Sequence, residues 1–179
     1  MMMFIPAFVT LRLLPAIEPQ PGQHLEIPMT AHNPLAVDPR RVAAAALLLR
    51  LALGAMFVAH ALLKYFVFTL PGTAQFLGSL GLPPWLGYGV FAAELIGGVL
   101  LLLGVYTRYV ALALVPILLG ATWVHVGNGW LFSAPNGGWE YPAFLALAAI
   151  VQFLVGDGAY ALQRSRGPGT VRVATVVGA

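Results

Sequence analysis

The chain has 179 residues, 60% hydrophobic and only 8% charged, with mean hydropathy +0.87. A soluble domain carries about a quarter charged residues, so this composition excludes an ordinary cytosolic enzyme and a disordered chain. Nine Lys and Arg, a net charge of +3 and no Cys exclude a nucleic-acid partner and any thiol, disulfide or iron–sulfur chemistry within the chain.

Residues 1–41 come first in chain order. Met1–Leu14 is apolar but lacks the basic start of a signal peptide. Residues 15–39 hold six prolines and read as a disordered tail, with Met29 as an internal start ahead of everything apolar that follows.

Four apolar stretches succeed the tail, at about 42–68, 86–104, 109–126 and 141–160. Each is long enough for roughly 30 Å of hydrocarbon, where backbone polar groups must be satisfied within the element and segments of this kind are helices. Pro71-Gly72 and Pro83-Pro84 punctuate the first connection, and Asn128-Gly129 and Pro135-Asn136-Gly137-Gly138 the third. The second, Val105 to Arg108, is so short that its spans must form a hairpin. The expected fold is all-α, a polytopic membrane protein with an antiparallel four-transmembrane-helix bundle over residues 42–162. Residues 163–179 follow as a short cytoplasmic tail.

Cations set the expected orientation. Arg40 and Arg41 precede the first span, Arg108 lies in the hairpin, and Arg164, Arg166 and Arg172 follow the last, while the first and third connections contain no Lys or Arg. The positive-inside rule therefore places both termini in the cytoplasm. Trp85, Trp130 and Trp139 then gather at the opposite face, with Trp123 just beneath, as an interfacial belt.

Ionisable groups inside spans are expensive and mark either a function or a buried structural pair. His60 and Lys64 are one turn apart on the first helix, with Arg50, Gly54 and Phe57 on the same stripe. His60, Lys64, Glu94, His125, Glu140 and Tyr141 all fall in the outer half and form a candidate outward-facing polar cavity. Glu94 is expected either to pair with Lys64 or to be protonated, since desolvation favours the neutral carboxyl. Lys64 could instead snorkel to the interface. Arg50 and Asp157 fall in the inner half and are expected to form a structural ion pair. His60 and His125 as axial haem ligands are a weaker alternative to hydrogen-bonded polar groups, and no metal site is expected. Gly89, Ala93, Gly97 and Gly98 form a small-residue strip for packing within the bundle or between two copies. Pro116 is expected to kink the third span.

At these residues the chain resembles the DoxX family of small four-helix membrane proteins. The likeness is carried by Arg50-x3-Gly54-x2-Phe57-x2-His60-x3-Lys64, by Glu94-Leu95-Ile96-Gly97-Gly98, and by Gly104-x2-Thr107-Arg108. His125 and Gly137-Gly138-Trp139-Glu140-Tyr141-Pro142 complete it over about residues 42–162. The resemblance implies a bacterial inner-membrane protein of a family named for subunits of quinone-linked sulfur oxidation. Two functions are therefore expected alternatives. One is a quinone-interacting oxidoreductase subunit, with His60 or Lys64 on a quinone oxygen and Glu94 passing protons. The other is a non-enzymatic assembly or supporting subunit for a protein partner, or a homodimer, in contact with lipid.

Overall fold

The computed structural model describes residues 37–165. The expected N-terminal tail through residue 36, Met29 and residues 166–179 lie outside the described residues. Among those described there are five α-helices and no strands: α1 (Pro39–Phe66), α2 (Leu70–Ser79), α3 (Leu86–Leu103), α4 (Thr107–His125) and α5 (Glu140–Val155). A 3-10 turn at Val126–Asn128 extends α4.

Helices α1, α3 and α4 with its extension are long and apolar enough to cross a membrane. Helix α5 is apolar but has 16 residues, short of the roughly 20 a full crossing needs. The fourth span, expected to run to residue 160, stops at Val155 because Gly156 takes φ +100°. The Gln152 side chain also donates to the Gly156 carbonyl there, closing the helix from within.

Helix α1 begins three residues before its expected start, since Asp38 caps it by accepting from the Arg40 amide. Helix α2 was not expected at all. Pro71 lies in its first turn, where a missing N–H costs nothing, and Thr69 caps it by accepting from the Gly72 amide. The proline read as a break is a start signal. Helix α4 runs unbroken through Pro116.

Helix α1 packs on α3 and α4 on α5, with α3 against α4 and α1 against α5 closing the ring; α2 lies on α3. The closest approach of α1 and α3 is at Gly54 and Gly98. A Cβ on Gly98 would come within 2.9 Å of the Val58 amide nitrogen and 3.0 Å of the Gly54 carbonyl oxygen. Gly97 faces Leu114 of α4, whereas Gly89 has open space around it. The small-residue strip therefore serves packing inside the bundle at Gly97 and Gly98. Leu53, Phe57, Leu101, Ala111, Leu114 and Ala149 are among the residues of the buried core.

One end of the bundle collects the C-termini of α1 and α4 and the N-termini of α3 and α5, and with them the tryptophans. The other, the arginine end, holds a return segment. After Gly156 the chain folds back across it, with the Ala159 amide on the Ala43 carbonyl and Val105 bridged in parallel to Gln163. Ser165 donates its amide and hydroxyl to the Asp157 carboxylate, both at 2.7 Å. Residues 163–165, expected in a solvated tail, are thus part of the folded body, held mainly through backbone groups that leave no residue signature.

Candidate functional site

Glu94 and Gly98 are one helical turn apart, so the glycine crossing that brings α3 onto α1 also aims Glu94 at α1. Lys64, two residues before the end of α1, meets it there. Its Nζ donates to Oε1 at 2.9 Å and to Oε2 at 2.7 Å, and the side chains are 19% and 8% exposed respectively. Among the described residues no other hydrogen bond reaches the Glu94 carboxylate, so the pair is self-contained.

One turn earlier His60 faces α5. Its Nδ1 lies 2.8 Å from the Met56 carbonyl oxygen. A carbonyl only accepts, so Nδ1 carries the proton, and in the neutral ring Nε2 keeps a free lone pair. The imidazole stacks on Tyr141 with centroids 5.9 Å apart and planes inclined at 24°. The Tyr141 hydroxyl is shielded from solvent and has no hydrogen-bond partner among the described residues. Such an oxygen is costly to leave unpaired.

His125 repeats the His60 pattern, with Nδ1 2.7 Å from the Ala121 carbonyl oxygen. Its ring lies against Gly137, where a Cβ would come within 3.3 Å of Cδ2. Gly137 has φ +76°, and the Asn128 amide group binds its carbonyl, so this loop is shaped around the α4 terminus. Glu140 accepts from the Phe132 amide at 2.8 Å and thereby folds the same loop onto α5. Trp130 and Trp139 meet edge to face at 4.5 Å. Beneath them lies an open cavity of about 490 Å³, lined by Trp130, Phe132, Glu140, Tyr141, Phe144 and Leu147 among others.

The six residues expected to line one polar cavity are therefore divided. Glu140 and Tyr141 line the cavity; His60 reaches it through the Tyr141 ring. Lys64 and Glu94 close on each other between α1 and α3, and His125 supports the loop. Charge pairing explains the division, because a buried lysine and carboxylate in reach satisfy one another before they hydrate a cavity. Among the described residues no cluster of three or more His, Asp or Glu is placed to hold a metal ion.

The expected Arg50–Asp157 ion pair is not formed. Arg50, 2% exposed, donates from Nη1 to the Asp157 backbone carbonyl at 2.9 Å and from Nη2 to the Ala159 carbonyl at 3.3 Å. Its guanidinium presses on Gly104, which has φ +71° and no room for a Cβ. Carbonyls just past a helix terminus carry partial negative charge that a planar guanidinium can fork. The Asp157 carboxylate is engaged by Ser165 instead. Thr107 and Gln152, both fully buried at this end, complete a polar layer that the sequence reading did not assemble. Their only signal was a polar residue on an apolar helix.

Comparisons with known proteins agree with this architecture. Residues 45–127, from within α1 to the end of α4, match the DoxX family model. A Bacillus subtilis protein named "Putative oxidoreductase CatD" is 45% identical over 75 residues, 42% of this chain. The match spans 54% of that relative's length, about half. No solved structure gives a significant match. The matched segment holds Arg50, His60, Lys64, Glu94 and His125, and stops before the Trp130–Tyr141 loop. From α1 to α4 the chain is similar to the DoxX family, and three of its described helices are long and apolar enough to cross a membrane.

Proposed function

We propose that the protein is a quinone-interacting subunit of a membrane redox system, working in the bacterial inner membrane with both termini in the cytoplasm. The observation that carries this reading is the His60–Tyr141 stack beside an aromatic-walled cavity. A quinone headgroup is flat and apolar with two carbonyl oxygens, and it enters from lipid. Trp130, Phe132 and Phe144 offer walls for such a ring. The Tyr141 hydroxyl, without a partner among the described residues, becomes a donor to a quinone oxygen once its side chain turns into the cavity it lines. The bare Nε2 of His60 can take a proton from a hydroxyl, with Nδ1 already committed to Met56. Without cysteine, sulfur or thiol chemistry belongs to a partner protein. The relative's name as an oxidoreductase supports the same class.

The test is a titration of purified protein in mild detergent with a short-chain quinone, read by tryptophan fluorescence, with extraction of co-purified quinone. Wild type should carry quinone, and Tyr141→Phe and His60→Gln should each weaken binding about five- to tenfold, one hydrogen bond's worth. A wild type without quinone and identical titrations for all three proteins overturn the proposal.

One observation favours a second reading, a supporting subunit without its own chemistry. Lys64, Glu94 and Glu140 are all spent on holding the fold. In that case Glu94→Gln and Tyr141→Phe would change stability and partner assembly, leaving the quinone response flat.

A further inference from the structure

A second cavity, of about 460 Å³, opens at the arginine end between the first turns of α1 and the return segment. Its walls include Val37, Val42, Ala46 and Val155, with Gly158 and Arg164 beside them. Gly158 makes the floor rigid: at φ +75° it lets the turn lie on α1, where a Cβ would come within 2.6 Å of the Leu47 amide nitrogen. Apart from Arg164 the lining side chains are aliphatic, with backbone polar groups beside them, and they begin at the first turns of a helix long and apolar enough to cross a membrane. Arg164 stands at the rim, exposed, with no hydrogen bond or ion pair to another described residue. Arg40 precedes Val42 on the same helix turn, and Asp38 is occupied by the Arg40 amide and Arg41.

We propose that this groove is a binding site for an anionic phospholipid, its phosphate on Arg164 and the start of an acyl chain along Val42, Ala46 and Val155. An exposed cation beside aliphatic side chains at the end of a membrane-crossing helix is complementary to that molecule at both ends. A neutral lipid would leave Arg164 without its counter-charge, and a free phosphate would leave the aliphatic walls bare. The proposal stands apart from the quinone reading, since it concerns the opposite end of the bundle.

The experiment uses the full chain in mild detergent, with native mass spectrometry and thermal unfolding during titration with phosphatidylglycerol, phosphatidylcholine or inorganic phosphate. Wild type should retain one phosphatidylglycerol preferentially and unfold at higher temperature with it. Arg164→Gln should lose about fivefold in apparent affinity, the contribution of one cation at an anionic surface. Arg164→Lys should keep most of it. Val42→Trp, which fills the slot without altering charge, should abolish the retained lipid; Arg164→Gln, at an exposed position, guards against a folding failure of that variant. Equal retention of phosphatidylcholine, stabilisation by phosphate alone, or unchanged binding in both Arg164→Gln and Val42→Trp overturns the proposal. The last result would mean that the groove is filled by the chain itself.

Discussion

Lys64→Met and Glu94→Gln remove opposite halves of one ion pair and should not cost the same. Both hydrogen bonds described for the Glu94 carboxylate come from Lys64, and its side chain is only 8% exposed. Lys64→Met therefore strands a buried charge, which costs about 3–5 kcal/mol. Lys64 itself is 19% exposed and two residues from the end of α1. After Glu94→Gln its ammonium can move along its flexible stem to the interface. The amide keeps the volume of the carboxylate, so that variant loses only about 1–2 kcal/mol. In a domain of this size each kcal/mol moves the melting temperature about 2–4 °C. The expected losses are then about 6–20 °C for Lys64→Met and about 2–8 °C for Glu94→Gln. Thermal unfolding in mild detergent, followed by tryptophan fluorescence, measures both. The double variant has no charge to strand and should melt above Lys64→Met alone. If Glu94→Gln proves the more damaging single change, or the two losses add in the double variant, the carboxylate is not held by Lys64 alone.

The α1–α3 crossing gives a second contrast: Gly98→Ala must push backbone from backbone and should cost about 1–3 kcal/mol, whereas Gly89→Ala meets nothing and should leave the melting temperature unchanged or higher. At the arginine end, Asp157→Asn should be mild, about 1 kcal/mol for a weakened Ser165 contact. Arg50→Met should be far worse because it vacates two carbonyls and the Gly104 cleft; equal melting of the two variants would restore the ion pair that the geometry denies. Reporter fusions after residues 81, 105, 134 and 170 should read outside, inside, outside, inside; an odd number of crossings would show that the short α5 does not span.

Much of the fold was legible because lipid imposes a simple rule: long apolar runs must be helices, and α1, α3 and α4 follow it within three residues at either end, the 3-10 extension of α4 apart. The Lys64–Glu94 contact was legible for a related reason, since two opposite charges at similar depth have few alternatives. What escaped was written in the backbone. Helix α2 is ten residues started by a proline that resembles a break, and the return segment is held by amides and carbonyls common to every residue. Arg50 meets the backbone carbonyls of Asp157 and Ala159 instead of the Asp157 carboxylate. A side-chain inventory counts Asp157 as the partner, and only the end of α5 at Gly156 shows why its carbonyl is presented instead. The six candidate cavity residues are divided because Lys64 and Glu94 satisfy each other, while Glu140 and Tyr141 line the cavity.

The placement of the Arg50 acceptors has a consequence for how the chain is made. They lie 107 and 109 residues further along. At a synthesis rate of about 5–20 residues per second, the guanidinium exists roughly 5–22 s before the carbonyls that receive it. Insertion of the first helix and sealing of the bundle are therefore separate events. In the interval the guanidinium lacks both of those acceptors. Arrival of the return segment supplies them, so a ribosome stalled before Asp157 leaves a chain whose bundle has not yet locked at Arg50.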